Sequence, residues 1–267
     1  VYGAPGYELQ AVWRENMTNA VSAAELLSGW LPVFSLETIA ELEPMLRDRI
    51  VQTHIRAGVR VLDPRAVYID PRVTIGRGTM LLPGTILRGE TAVGCGCTIG
   101  PNAMVRDCVI GDDTEINASQ VNESTIGSRT HVGPFAYVRP GCTIGDDIKV
   151  GDFVEVKNSS IGDGTKISHL TYVGDSDVGR HVNFGCGTVT TNYDGVKKYR
   201  CTIGDSAFIG CNTNLVAPVT VGEGSYIAAG ATITKDVPAD ALAVARARQE
   251  NKEGWAKRRR KLYGQER

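Results

Sequence analysis

His169 stands in the run Ser168-His169-Leu170-Thr171-Tyr172, downstream of Glu155 and Lys157. Histidine as a residue type exchanges a proton near neutral pH, so it can serve as a general base, and a carboxylate can orient its ring. A lone histidine is more often structural. His169 competes better because Glu155 and Lys157 lie one coil or less before it in the repeat described below. A second locus is the polar insertion TNYDGVKKYRC, Thr191–Cys201. It reads either as a surface turn or, through Asn192, Tyr193, Lys197 and Lys198, as a loop that contacts an anion and a sugar. A third is the basic run Lys257-Arg258-Arg259-Arg260-Lys261, which reads as a solvated helix face or an anion contact.

The element that must position these residues is a repeat of six. Ile126, Val132, Val138, Ile144, Val150 and Val156 recur at that interval, and Ile203, Ile209, Leu215, Val221, Ile227 and Ile233 repeat it without a miss. Ile161, Ile167 and Val173, then Val178 and Phe184 after a one-residue slip, run between them, and the beat falters at the polar Thr190. Ile75, Val93, Ile99 and Val105 follow it less strictly. Glycine follows many of the aliphatic residues, which explains why it supplies 31 of 267 residues against a usual share of about 7%. Period six fits neither an amphipathic helix nor an alternating hairpin. It fits a triangular coil of short strands, an all-β solenoid with the aliphatic residue inward and glycine at the corner, relieving crowding and accepting unusual dihedrals. Three units close a turn of about 18 residues, so Val67 to Val237 gives about nine or ten coils. Gly76-Arg77-Gly78-Thr79-Met80 falls inside the repeat and reads as a corner, not as a nucleotide-binding loop.

The flanks are helical. Ser22-Ala-Ala-Glu25 has capping-box spacing. Ile39, Leu42, Met45, Leu46, Ile50 and Ile55 form a stripe, with Pro44 as a kink or a first turn and Gly58 as a stop. This helix is expected to cap the open end of the solenoid. The resulting division is 1–57 for the capping segment, 58–238 for the β-helix and 239–267 for a helical, basic arm. The chain opens on Val1 rather than Met, as either a fragment or a processed protein would.

Composition excludes more than it identifies. Apolar residues at 42% argue against a disordered chain, and no apolar run is long enough to span a membrane. Lys+Arg 29 against Asp+Glu 30 gives a net charge of −1, so no global basic field points to nucleic acid. Seven cysteines, odd in number and without a C-x-x-C pair, suit a reduced cytosolic protein with small buried thiols. Cys95-x-Cys97 would point one way on a strand but lacks the second pair that zinc needs.

VRPG (Val138–Gly141), VGDFVEVK (Val150–Lys157), SHLTYVGD (Ser168–Asp175), NFGCGTVTTNYDG (Asn183–Gly195), LVAPVTVG (Leu215–Gly222) and ALAVARARQENKEGW (Ala241–Trp255) together resemble a known family. It is the acetyltransferase half of the bifunctional bacterial N-acetylglucosamine-1-phosphate uridyltransferase/glucosamine-1-phosphate acetyltransferase. The resemblance implies a left-handed parallel β-helix and transfer of acetyl from acetyl-CoA to the 2-amino group of glucosamine 1-phosphate. That product feeds UDP-N-acetylglucosamine, and so peptidoglycan and lipopolysaccharide. By the same resemblance, His169 is the general base and Glu155 orients it. Arg139, Lys157, Tyr172 and Lys198 grip the sugar phosphate, and Asn183 and Asn192 contact the sugar. Asn192 and Tyr193 lie beside acetyl-CoA, the Cys186 N–H is the oxyanion donor, and Cys211, Ala229 and Arg246 touch acetyl-CoA. Cys186 and Cys211 are not read as nucleophiles, and transfer is expected to be direct. A cytoplasmic homotrimer with sites between subunits is implied, without metal. The uridyltransferase half is expected to be absent, and with it UTP and magnesium chemistry.

Other readings stay in view. A gamma-class carbonic anhydrase uses such a coil with three metal-binding histidines, but His131, His169 and His181 lack its close H-x4-H pair. A non-catalytic trimeric solenoid would have no need of His169, Lys157, Arg139 and Asn192 together. Within enzymes, the runner-up is an acetyltransferase for another amino sugar or a sugar nucleotide.

Overall fold

Each six-residue unit forms one short strand, and three strands close one turn of a prism. A computed structural model describes residues 36–265; the capping-box spacing at Ser22 and Glu25 lies outside them. The strands make three parallel sheets of eleven, ten and nine strands, which are the first, second and third faces of a left-handed β-helix of about ten turns. Inward residues stack coil on coil: Val132 on Val150 in the first face, Val138 on Val156 in the second and Ile126 on Ile144 in the third. These side chains are fully buried, so the core is a continuous aliphatic column.

Glycine serves this stack mainly by being small. A Cβ on Gly185 would stand 2.4 Å from the Cys211 backbone nitrogen, closer than atoms pack. The expectation that such a glycine also supplies the unusual dihedral holds at Gly100 and Gly133, at φ +106° and +109°, and is corrected at Gly111, Gly145 and Gly179. There the left-handed backbone falls two residues later, at Asp113, Asp147 and His181.

Between the aliphatic columns run small polar residues, which the repeat alone did not disclose. The Thr130 hydroxyl donates to the Gly145 carbonyl at 2.9 Å and accepts from the Ile148 N–H at 3.1 Å, tying consecutive coils. Cys97, Cys108, Cys142 and Cys201 are buried, and burial pushes the Cys108 and Cys201 thiols up to about 11. Cys95 is exposed while Cys97 is buried, so the two do not point the same way. Thr190 is inward and in register with Leu215, and its hydroxyl accepts from the Gly174 N–H at 2.7 Å. The beat therefore does not falter there. It carries a polar group whose bonding is met inside.

Coils vary by a residue or two along the solenoid, as in Glu115↔His131 against His131↔Lys149, and the coil that takes the polar insertion, Asn183↔Phe208, is the longest. Val178 pairs with Ile203, Phe184 with Ile209 and Thr190 with Leu215. Helix α1 (Leu36–Arg56) caps the first coil through the buried Val51, with the Arg47 guanidinium 5.1 Å from the Tyr68 ring centre. Pro44 lies within this single helix, and Gly58, at φ +99°, turns the chain out of it. At the far end the strand Leu242–Ala243 still pairs with Tyr226–Ile227, so the solenoid runs past residue 238. Helix α2 (Trp255–Leu262) follows and buries no residue.

Candidate active site

The corner between the first and second faces carries His169. Parallel pairing of the strands Lys149–Asp152 and Lys166–His169 sets Asp152 against His169, one coil earlier. The Leu170 N–H donates to the Asp152 carbonyl at 3.0 Å. A Cβ on Gly151 would lie 2.0 Å from the Ser168 carbonyl oxygen, so only glycine lets these strands come this close. His169 Nδ1 lies 2.6 Å from Asp152 Oδ1, and that bond holds the Asp152 carboxyl below the usual carboxylate range.

Glu155 does not touch the ring as expected. It lies beyond the corner, on the second face, where its register neighbours are Tyr137 and Tyr172. Its carboxylate accepts from Arg139 Nη1 at 2.9 Å, a bond that raises the guanidinium's affinity for its proton. The carboxylate at His169 is Asp152.

The same corner continues upward. Ile167 pairs with Phe184, Phe184 with Ile209 and Ile209 with Ile227, which stacks Cys186, Cys211 and Ala229 on successive coils above His169. Neighbouring parallel strands lie about 4.7–4.9 Å apart. Among the described residues, none of the backbone N–H groups of Cys186, Cys211 and Ala229 has an acceptor. The Arg246 side chain closes the column beside Gly230, its Cδ 3.7 Å from where a Cβ on that glycine would stand.

The opposite edge of the second face gathers cations over a buried carboxylate. Arg139 and Lys157 stand on consecutive coils, through the pairing of Val138 with Val156. Asp175, its side chain only 6% exposed, accepts from Asn158 Nδ2 at 2.5 Å, from Asn192 Nδ2 and from Lys157 Nζ at 3.5 Å. Burial opposes its charge, but these donors outweigh burial and hold the carboxyl below its ordinary range. Tyr172 lies across Gly174, and its hydroxyl is 3.4 Å from Asn192 Nδ2. Lys198 reaches Lys157 from the insertion, and the neighbouring ammonium lowers the Lys198 affinity for its proton.

The insertion folds as a hairpin in which Tyr193 bridges Lys198. The Asp194 carboxylate accepts from the Val196 and Lys197 N–H groups at 2.8 Å each, and Arg200 clamps the base on Asp177. Lys197 sits 4.8 Å over the Tyr199 ring, while Tyr193 is exposed. Asn183 is not brought to this edge: it lies on the first face between Lys166 and Phe208. The other histidines stand apart: His54 in helix α1, His131 against Glu115 at 3.2 Å on the first face, and His181 at the corner before it. Asp152, Asn158 and Asp175 were missed as site residues; counting one coil back from His169 would have found Asp152.

Residues 64–154 match the family model for the GMPPB C-terminal domain, and residues 200–235 match the bacterial transferase hexapeptide (six repeats). The bifunctional protein GlmU of Geobacillus sp. (strain WCH70) is 52% identical over 220 residues, covering 82% of this chain and 48% of that protein. This chain is a relative of GlmU. The GlmU of Alkaliphilus metalliredigens (strain QYMF) is 46% identical over 251 residues, 94% of this chain and 55% of its own length. The chain thus spans about half the length of the GlmU proteins it matches. Among solved structures, the Arabidopsis UDP-N-acetylglucosamine acyltransferase is similar at 14% identity and a TM-score of 0.39, over 66% of this chain and 69% of that one. That likeness is too distant to bear on function.

Proposed function

We propose that this chain transfers acetyl from acetyl-CoA to the 2-amino group of glucosamine 1-phosphate, giving N-acetylglucosamine 1-phosphate. The observation that carries the reading is the layout of the second face. A candidate base and a free amide N–H, His169 and Cys186, share one corner on adjacent coils. Arg139, Lys157 and Lys198 stand at the other edge, with Tyr172 between. An amino sugar phosphate fits that span, its phosphate on the cations and its amine toward His169. Identity near 50% to GlmU over its matching half supports the same reaction.

In this mechanism His169 takes the amine proton as nitrogen attacks the thioester carbon. The oxyanion of the tetrahedral intermediate accepts from the Cys186 N–H. The carbon–sulfur bond then breaks, and the thiolate of CoA leaves with the proton His169 held. Cys211, Ala229 and Arg246 carry the rest of acetyl-CoA along the corner, with Tyr193 beside it. Asn192 contacts the sugar from the insertion. Asn183, on the first face, would meet a sugar held between copies of the proposed homotrimer.

The test is acetyl transfer to glucosamine 1-phosphate, followed by release of the CoA thiol. His169→Ala is expected to lose about 10²–10⁴-fold in activity. Full activity in a folded His169→Ala protein would overturn the mechanism. Preference for another amino sugar or a sugar nucleotide would reassign the substrate, and no transfer to any of them would leave a non-catalytic scaffold.

A further inference from the structure

We propose that Asp152 is the positioning residue for His169, fixing the ring with the proton on Nδ1 and the lone pair of Nε2 turned to the substrate amine. This rests on the reading of His169 as the base. An ionised carboxylate can only accept a hydrogen bond. The Asp152 carboxyl is held in its ionised form, so the 2.6 Å contact places the hydrogen on Nδ1. A neutral imidazole has one N–H, and Nε2 is therefore bare.

The backbone enforces the pairing. Asp152 and His169 are register partners at the ends of four-residue strands, the Leu170 N–H is bonded to the Asp152 carbonyl, and Gly151 permits the close approach. Glu155, the other carboxylate of the motif, is engaged by Arg139. The two acids thus divide the work. Asp152 serves the base, and Glu155 serves the cation at the phosphate edge.

The first experiment needs no substrate. Long-range ¹H–¹⁵N spectra of the whole chain above neutral pH should show the His169 ring as the single tautomer protonated on Nδ1. Asp152→Ala should convert it to a mixture that includes the Nε2–H form, while Glu155→Gln should leave it unchanged. An unaltered tautomer in folded Asp152→Ala protein would overturn the proposal. The second experiment is kinetic. Asp152→Ala should lower kcat by about 10–10³-fold with KM values nearly unchanged, and Asp152→Glu should recover part of the loss. On a His169→Ala background, Asp152→Ala should cost nothing more. Additive losses would mean that Asp152 acts elsewhere. A wild-type chain that transfers no acetyl would defeat the functional reading, and the tautomer would still decide the pairing.

Discussion

Asn192, the first residue past the strand Val189–Thr191, donates its side-chain amide to the buried carboxylate of Asp175. This bond ties the inserted hairpin to the coil beneath it. The same carboxylate holds Asn158 and Lys157, so one charge organises the edge where three cations meet.

Asp175→Ala should destabilise the fold by about 2–4 kcal/mol, because it strands a largely buried lysine and the buried amide of Asn192. The effect should depend on pH in one direction. The folded-state carboxyl lies below its ordinary range, so its stabilisation is complete above the unfolded value near 4 and fades as pH falls through the folded value. Denaturant melts at pH 7 and pH 3 check this. A gap between wild type and variant that does not narrow in acid would contradict the pairing.

Lys198→Ala should act on binding rather than on the chemical step. Lys198 approaches Lys157 from the hairpin at the proposed phosphate edge. We expect KM for the sugar phosphate to rise about tenfold, with kcat and the KM for acetyl-CoA little changed. Steady-state kinetics with each substrate varied in turn would reveal it, and an unchanged sugar-phosphate KM would refute the role.

Gly185→Ala tests the column of amides above His169. The added methyl would meet the Cys211 backbone, which cannot swing aside as a side chain could. Spreading the coils should cost about 1–3 kcal/mol, and activity should fall further than stability does, since Cys186 is the next residue. A variant with wild-type melting and full turnover would show that the spacing there is slack.

Thr190→Val keeps the shape of a buried side chain and deletes its hydroxyl. The Gly174 N–H then loses its acceptor inside the coil. The expected loss is about 1–3 kcal/mol, and Thr190→Ser should retain most of the stability. Thermal unfolding of the pair distinguishes a bonded hydroxyl from a merely tolerated one.

The scaffold was legible in the sequence because its core is written in one letter class at one interval. Val132, Val138 and Ile144 announce three faces by recurring every sixth residue. The column of Thr130 was not, since a small polar residue looks like a solvent-facing one until the hydrogen bonds to the next coil are seen. Glu155 and Asp152 show a second limit. Motif order places both near His169, but only the ladder register says which side of the corner each occupies. Thr190 is the converse case, where a polar letter hid an inward position.

The coil that carries the hairpin is longer than those around it, yet Val178, Phe184 and Thr190 find their partners above without a shift. Extra chain at a corner is therefore invisible to the stack. The nine residues between Thr191 and Cys201 behave as an exchangeable cassette seated on a fixed frame. Specificity can be rewritten at its tip while the aliphatic stack keeps its register, provided Asn192 and Arg200 keep the base tied to Asp175 and Asp177.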